Sequence, residues 1–339
     1  MAPRGIGFRV GIAAFTCVLL LVSPRGQSGT PQPDAAVEAM VSQVSTDRLV
    51  ETTTALAGIP TRFSPTSGCA TAGAAIYSFL SRLGIAVEYE SFRYNSARVP
   101  VATAGRNVVA SLPGTAVPER VLVLGAHYDS FSNNQFKVAP GADDNASGVA
   151  ALLEIARILS RRRFALTIRF VAFDAEELGT FGSEHAAGLA KRRLETIAAM
   201  LNLDMIGYSA GGNRTLAIVH DRNSRPIARL FVQAASRYRA GVETVERMNV
   251  KWARSSDHAS FWAAGYPALS IIENNPDNNP HYHHTSDTPD TLDFAFLTAV
   301  TRATLAAAAT LAGGEQAPTD DRTASLRDRP RPECPRASR

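Results

Sequence analysis

Cysteine is scarce in this 339-residue sequence, which contains only Cys17, Cys69 and Cys334. No Cys-x-x-Cys pair occurs, which excludes the metal sites built on such pairs. Any metal centre must therefore take its ligands from histidine and carboxylate side chains. A Cys69–Cys334 disulfide and a pair of reduced cysteines remain open alternatives.

The body of the chain also lacks an excess of charge. The formal net charge of +4 comes from the two ends, because residues 1–30 carry three arginines and no acid, and residues 315–339 carry six arginines against five acids. The remaining body has equal numbers of basic and acidic residues. We therefore expect neither a nucleic-acid partner nor an electrostatic membrane patch.

The apolar run over residues 10–22 is too short for a membrane-spanning helix. Arg4 and Arg9 precede it, and positive charge before a hydrophobic run of this length is typical of a signal peptide. We predict an exported protein, periplasmic or extracellular, with no membrane span in the mature chain. The predicted segments are a signal peptide (1–26), a linker (27–33), one domain (34–314) and a Pro- and Arg-rich disordered tail (315–339).

The middle of the sequence alternates short apolar runs with stretches of helical periodicity. The apolar runs predict strands at 121–125, 166–173, 197–203 and 268–272, after a half-exposed strand at 85–94. Helices are predicted at 34–56 with a break near 45, and at 67–83, 146–161, 177–190, 224–238, 257–264 and 294–311. This alternation predicts an α/β fold: one domain with a mostly parallel, mixed and twisted central sheet, flanked by helices on both faces.

Histidine and carboxylate residues follow the predicted strands. They are His127, Asp129, Asp143, Asp144, Asp174, Glu176, Glu177, Asp204, Glu273, His283 and His284. The carboxyl ends of parallel strands meet at one edge of a sheet, where α/β proteins bind ligands. Several separate segments are therefore expected to bring these side chains together.

This set of side chains suits zinc or another borderline first-row metal ion. Two such ions need a bridging carboxylate, for which Asp144 is the candidate because small residues surround it. Asp129 is placed to accept the second ring N–H of His127. The adjacent Glu176 and Glu177 point in different directions, so one can bind metal while the other acts as a general base.

Each of these patterns has a plain structural explanation when it is taken alone. A single His-x-Asp is usually structural, adjacent glutamates usually begin a solvated helix, and Asp143 with Asp144 suits a turn or a helix cap. These explanations would have to hold together at successive strand ends. Their shared placement therefore favours a metal site.

Five motifs together resemble the two-zinc aminopeptidase family, which includes secreted bacterial leucine aminopeptidases, glutamate carboxypeptidases and glutaminyl cyclases. They are His127-x-Asp129, Gly-Ala-Asp-Asp144-Asn-Ala-Ser-Gly, Ala-Glu176-Glu177-Leu-Gly, Asn-Leu-Asp204-Met and Tyr282-His283-x-x-x-Asp287-Thr288. They occur in the family's order over about residues 105–311. In the family's pattern the last histidine ligand lies four and five residues before an Asp-Thr pair, so the resemblance implies His283 rather than His281 or His284.

The resemblance implies a zinc-peptidase fold with two zinc ions and peptide or protein N-termini as substrates. It assigns His127 and Asp204 to one ion, Glu177 and His283 to the other, and Asp144 to both. It further implies that Glu176 activates a metal-bridging water and that Tyr282 binds the oxyanion. Asp257 and His258 match a pocket-wall motif of the family.

Other functions on the same scaffold stay open. Glutaminyl cyclases typically use one zinc ion and carry tryptophan before the last histidine ligand, where this sequence has Tyr282. A carboxypeptidase, a single-metal deacetylase and a non-catalytic, receptor-like zinc-binding module are further alternatives. The retention of all five ligands and of Glu176 argues against the non-catalytic module.

Overall fold

A computed structural model describes residues 33–248, 250–251 and 253–315 of the chain. The predicted signal peptide, the linker up to residue 32 and the tail from residue 316 lie outside the described residues, and so do Cys17 and Cys334. Cys69 is buried, and its thiol donates a hydrogen bond to Asp174 Oδ1 at 3.3 Å.

Eight of the strands form one mixed sheet in the order β1-β2-β5-β3-β6-β9-β7-β8. Within the described residues the strands are β1 (Ala86–Ser96), β2 (Val99–Leu112), β3 (Val117–His127), β4 (Arg163–Phe164), β5 (Leu166–Phe173), β6 (Thr196–Leu203), β7 (Thr215–His220), β8 (Glu243–Arg247), β9 (Ala268–Glu273) and β10 (Gly314–Glu315). The short strands β4 and β10 pair with each other.

The centre of the sheet is parallel. Strands β5, β3, β6 and β9 run in one direction, with His127 beside Phe173 and Gly125 beside Asn202 in the register. On one side of these strands, β1 and β2 form a hairpin, and β2 is antiparallel to β5. On the other side, β7 is antiparallel to β9. The chain segments that follow the four central strands therefore begin at the same edge, as the sequence predicts.

Helices cover both faces of the sheet. They are α1 (Ala35–Val41), α2 (Thr46–Ala57), α3 (Ser67–Arg82), α4 (Gly148–Leu159), α5 (Phe181–Arg192), α6 (Arg225–Arg237), α7 (His258–Ala264) and α8 (Phe294–Ala312). The predicted break near Ser45 is confirmed, because α1 ends at Val41 and the Ser45 hydroxyl caps α2 by accepting a hydrogen bond from Arg48 N.

The two faces of the sheet carry hydrophobic cores of different size. Leu122 and Leu124 of β3 point into the larger core, which α1 to α4, α6 and α8 complete. Val121 and Val123 point to the opposite face and pack with residues of α5 and α7. Burial on both faces explains why β3 has a continuous apolar run, and the prediction of helices on both faces is confirmed.

One helix within the described residues has the length and apolar composition of a membrane span, Phe294–Ala312. Of its most apolar window, 72% is buried inside the protein. Its apolar side chains belong to the larger core, where they pack with α1, α2, α4 and α6.

Two parts of the sequence-based prediction of secondary structure differ from the structure. Strands β2, β4, β7, β8 and β10 are not predicted from the sequence. Three of the five residues of β8 are charged, as the edge of a sheet allows. The helix predicted from residue 177 begins at Phe181 instead. Ala175 and Thr180 have positive φ values of 58° and 56°, so residues 176–180 form a turn.

Candidate metal centre

The first group of ligand atoms surrounds His127, the last residue of β3. Its Nε2 lies 3.1 Å from Asp144 Oδ1 and 3.3 Å from Asp204 Oδ1. Asp204 follows the end of β6, so neighbouring parallel strands bring the two residues together. The potential ligand atoms of all three residues lie within 4.8 Å of one another, and all three residues are buried.

A second group shares Asp144 with the first. His283 Nε2 lies 3.3 Å from Asp144 Oδ2 and 2.9 Å from Glu177 Oε2. The potential ligand atoms of this group also lie within 4.8 Å of one another. Each oxygen of the Asp144 carboxylate therefore faces a different histidine, which is the arrangement that a carboxylate bridging two ions requires.

The irregular turn Ala142–Ser147 holds Asp144 in place. The Asp287 carboxylate accepts hydrogen bonds from the backbone N–H groups of Asp143 at 2.9 Å and Asp144 at 3.1 Å. The Asn145 side chain donates to Leu203 O at the end of β6, at 2.8 Å. A Cβ at Gly148 would collide with that same carbonyl, so glycine is required for this close approach. The turn is thereby fixed against the strand that leads to Asp204.

Asp129 connects the two groups of ligand atoms. Its Oδ1 lies 3.5 Å from His127 Nδ1 and accepts a hydrogen bond from Glu176 N at 3.1 Å. Its Oδ2 accepts from Glu177 N at 3.2 Å. These bonds hold the turn that follows β5 and direct the two neighbouring glutamates differently, with Glu177 toward His283.

Arg62 is a structural element of the site that the sequence did not reveal. It is fully buried, and within the described ranges its guanidinium donates only to backbone carbonyls, those of Leu56, Tyr128, Pro140 and Gly141. Tyr128 follows the ligand candidate His127, and Gly141 opens the turn that contains Asp144. Arg62 thus fixes the backbone on both sides of the site, although its sequence context, Pro-Thr-Arg-Phe, has no distinguishing pattern.

The charges of the site are strongly coupled. Burial opposes the ionised form of Asp144, but hydrogen bonds from His127 and His283 outweigh it and hold its pKa below the ordinary range. Burial works against protonated His283 too, yet Glu177 and Asp144 raise its pKa to about 10. Burial and then Asp144 raise the pKa of Glu177 to about 7. The two groups contain three buried carboxylates and two histidines, so their negative charge is compensated only in part.

Two observations indicate that these residues can bind zinc: the chemistry of their donor atoms, and a buried carboxylate oxygen that has no hydrogen-bond partner among the described residues. The donors are imidazole nitrogens and carboxylate oxygens, which zinc accepts at distances near 2 Å. Glu177 Oε1 is buried, and no hydrogen-bond partner reaches it among the residues that the structure describes. Such an atom is costly to bury unless it binds a ligand.

A cavity of about 130 Å³, termed here the inner cavity, opens onto these side chains. Met205, Ile272 and Pro276 form its apolar wall, and Glu176 and Tyr282 also line it. Glu176 is half-buried, and burial raises its pKa well above the ordinary value despite the nearby His127. The Tyr282 ring stacks on the His283 ring at a centroid distance of 3.8 Å.

Asp257 and His258 do not lie on the wall of the inner cavity, where the neighbouring Ser255 is found instead. Both are buried at the start of α7, and His258 Nε2 lies 2.8 Å from Ala253 O. The residue before them, Ser256, contacts the site directly, because its hydroxyl donates to Asp204 Oδ2 at 2.6 Å. The segment before α7 therefore helps to position the ligand candidate Asp204 through this hydrogen bond.

Comparison with known proteins agrees with this geometry. The model of peptidase family M28 matches residues 107–308. A relative in Leptosphaeria maculans, named as a probable zinc metalloprotease, is 31% identical over 298 residues, which cover 75% of this chain and 69% of the relative.

Solved structures with the same fold include two kinds of enzyme. The Legionella pneumophila LapA aminopeptidase aligns with a TM-score of 0.69 and 23% identity, over 82% of this chain and 74% of LapA. The Fimbriiglobus ruber glutaminyl cyclase aligns with a TM-score of 0.67 and 22% identity, over 78% of this chain and 94% of the cyclase. With the family match, these findings confirm the resemblance in sequence, and the chain belongs to peptidase family M28, the co-catalytic zinc peptidases that its motifs indicate.

Proposed function

We propose that this chain is an aminopeptidase that binds two zinc ions and releases amino acids from peptide N-termini. The observation that carries the proposal is the position of Asp144, whose Oδ1 lies 3.1 Å from His127 Nε2 and whose Oδ2 lies 3.3 Å from His283 Nε2. One ion would be held by His127, Asp204 and Asp144, the other by His283, Glu177 and Asp144. Bound zinc supplies a water of lowered pKa and a Lewis acid that polarises the scissile carbonyl.

Glu176 is the proposed general base. The Asp129 carboxylate accepts a hydrogen bond from the backbone N–H of Glu176, and the Glu176 side chain lines the inner cavity. A carboxylate at this position can take a proton from the attacking water and then give it to the leaving amine. Tyr282 lines the same cavity, and burial raises the pKa of its phenol, so the hydroxyl keeps its proton and can donate to the developing oxyanion.

The size and charge of the inner cavity support action at an N-terminus. A volume of about 130 Å³ suits the side chain of a single residue. The carboxylate of Asp277 on its wall provides a partner for an N-terminal ammonium group. The same fold in the LapA aminopeptidase is consistent with this direction of attack.

Substrates that differ in their free terminus test the direction of cleavage. We expect the purified full chain with zinc to hydrolyse unblocked aminoacyl anilides and to leave N-acetyl peptides with a free C-terminus intact. A panel of anilides then identifies the preferred N-terminal residue. Release of C-terminal residues from the acetylated peptides would instead identify a carboxypeptidase.

A glutaminyl cyclase is the second candidate, because one of the proteins with the same fold has that activity. Tyr282 occupies the position before the last histidine ligand, where cyclases carry tryptophan, and this favours the peptidase. A peptide that begins with glutamine separates the two activities. We expect free glutamine and a shortened peptide, whereas a cyclase would release ammonia and leave the peptide at full length.

We also propose that the enzyme acts outside the cytoplasm after removal of residues 1–26, with residues 34–314 as the peptidase domain. The support is the pair Arg4 and Arg9 before the apolar run 10–22. N-terminal sequencing of the protein collected outside the cytoplasm tests this proposal. A first residue near position 27 is expected, and an exported protein that still begins at Met1 would contradict it.

A further inference from the structure

A second, wider cavity of about 580 Å³ lies beside the metal centre and is termed here the outer cavity. Its walls consist of residues 95–98, 176–181, 254–255 and 282–283. It shares Glu176, Tyr282 and His283 with the inner cavity, so the two cavities adjoin at the candidate catalytic groups. Two arginines, Arg98 and Arg254, lie on its wall and are absent from the wall of the inner cavity.

Arg98 lies in the turn between β1 and β2. Its Nη1 donates to the backbone carbonyl of Glu177 at 2.9 Å, and its guanidinium carbon lies 4.7 Å from the centroid of the Phe131 ring. Phe131 in turn contacts the His283 ring edge-on, at 4.9 Å between centroids. Although the side chain is exposed, these contacts hold its positive charge next to the metal centre.

Arg254 precedes α7. Its guanidinium carbon lies 5.8 Å from the centroid of the Trp262 ring, and the side chain is exposed. Neither Arg98 nor Arg254 forms an ion pair with a carboxylate of the chain, as far as the described residues extend. Most exposed arginines are merely solvated, but these two border one cavity, and guanidinium N–H groups on both remain available to a ligand.

The two cavities suggest how a peptide lies in the site. The small inner cavity suits the N-terminal residue, so the chain after the scissile bond extends into the wider outer cavity. A leaving fragment therefore passes the two guanidinium groups. Guanidinium binds carboxylate with paired, charge-assisted hydrogen bonds, and it binds a neutral amide less strongly.

We propose that Arg98 and Arg254 select peptides whose leaving fragment carries a carboxylate close to the scissile bond. The inference rests on the proposed aminopeptidase activity and adds a substrate class to it. The carboxylate has two potential sources: the C-terminus of a dipeptide, or the side chain of an Asp or Glu that follows the N-terminal residue.

Two matched pairs of peptides distinguish these sources. The first pair is X-Ala and X-Ala-amide, and the second is X-Glu-Ala-amide and X-Gln-Ala-amide, where X is the residue preferred in the anilide panel. For at least one pair, the wild-type enzyme is expected to cleave the acid with a higher kcat/KM than the neutral partner. The pair that shows the preference identifies the source of the carboxylate.

Substitution of the arginines tests whether they cause the preference. We expect Arg254→Gln and Arg98→Gln each to lower the acid-to-neutral ratio of kcat/KM about fivefold, as for an exposed ion pair of ~1 kcal/mol. Because the ratio is measured within one variant, a loss of folded or zinc-loaded enzyme cancels. Arg254 makes no contact with a ligand candidate among the described residues, so its variant guards against an indirect effect of Arg98 on Glu177.

Arg93 provides the matched control. It is an exposed arginine on β1 that lies outside the outer cavity, and Arg93→Gln is expected to keep the wild-type ratio. The wild-type preference is also expected to shrink as ionic strength rises, because exposed charges are screened.

Two results would overturn the inference, and they are distinguishable. A ratio near one in the wild type, or a ratio that both arginine variants retain, refutes the selection of carboxylates while anilide hydrolysis leaves the aminopeptidase proposal intact. If neither anilides nor any of the four peptides is hydrolysed, the aminopeptidase proposal fails, and the inference that rests on it fails with it.

Discussion

Two sets of buried carboxylates lie side by side in this protein, and their surroundings differ. The supporting carboxylates are Asp129, Asp143 and Asp287. In each of them, at least one oxygen accepts a hydrogen bond from a backbone N–H group. The carboxylates proposed as metal ligands, termed here the ligand carboxylates, are Asp144, Glu177 and Asp204. Within the described part of the chain, their oxygens face only His127, His283 and the hydroxyl of Ser256.

This difference separates residues that build the site from residues that bind at it. A carboxylate that accepts hydrogen bonds from backbone N–H groups fixes the chain. The ligand carboxylates instead depend on two histidines and one hydroxyl, which hold the pKa of Asp144 low but leave Glu177 Oε1 without a partner among the described residues. Neighbours in sequence fall into different sets, as Asp143 and Asp144 show. The metal centre is thus a region where stability is given up for binding.

The largest expected effect comes from Glu176→Gln. The substitution removes the proposed proton acceptor and keeps the shape of the side chain. We expect kcat to fall about 10³-fold, equivalent to ~4 kcal/mol in the barrier, because general-base catalysis contributes on this scale. Anilide kinetics measure the loss, and thermal unfolding with zinc analysis checks that fold and metal content are unchanged. Near-normal turnover would remove Glu176 from the mechanism.

Glu177→Gln should stabilise the metal-free protein, although it removes a ligand candidate. Burial and then Asp144 raise the pKa of Glu177 from its ordinary 4.5 to about 7. The folded metal-free protein therefore binds more protons than the unfolded chain between these pH values, and the stability contributed by Glu177 falls as pH rises through them. At pH 8 the ionised side chain costs up to ~3 kcal/mol, which the glutamine variant avoids.

Denaturant unfolding of EDTA-treated protein at pH 8 and pH 4.5 measures this difference. The variant should be more stable than the wild type at pH 8 and nearly equal to it at pH 4.5, and it should retain less zinc after dialysis. A variant that is less stable than the metal-free wild type at pH 8 would place Glu177 among the supporting carboxylates.

Asp287→Asn should act mainly on zinc affinity, through the position of Asp144. Asp287 accepts from the N–H groups of Asp143 and Asp144, and asparagine leaves one of these donors facing an NH₂ group. The unpaired donor costs ~1–3 kcal/mol of unfolding free energy, but the neutral side chain avoids the burial cost that raises the pKa of Asp287 to about 6, so the net change in stability is small. Zinc affinity should fall about 10- to 100-fold, because Asp144 loses its support.

Asp290→Asn is the control for this variant, since Asp290 is exposed in the same loop. It should change the unfolding free energy by less than ~0.5 kcal/mol. Competition with a chelating dye measures zinc affinity in both variants. Equal behaviour of the two variants would contradict the supporting role of Asp287.

Much of the fold and the site followed from the order of residues alone. Apolar runs at 121–125 and 197–203 are buried on both faces, so they indicated central parallel strands, and the residues after them had to meet at one edge. The proximity of His127 and Asp204 is therefore a consequence of topology. Strand β8 lies at the edge of the sheet, and three of its five residues are charged, so it has no comparable apolar run.

What the sequence left open depends on contacts between distant residues. The turn that contains Glu176 and Glu177 is held by Asp129, which lies 47 residues before Glu176. Nothing in the local sequence pattern reveals this contact. The sequence around Arg62 is that of an ordinary turn. Only the folded structure shows that its guanidinium is buried and donates to the carbonyls of Tyr128 and Gly141. Asp257 and His258 were expected on the pocket wall, but the start of α7 directs them into the interior, where both are buried.

Zinc stoichiometry tests the central claim most directly. The full chain is loaded with zinc, dialysed against metal-free buffer and analysed by mass spectrometry for metal per mole of protein. Two ions per chain are predicted, because Asp144 presents one oxygen to each histidine. A value of one, or of none, would contradict the account of a shared carboxylate between two metal sites.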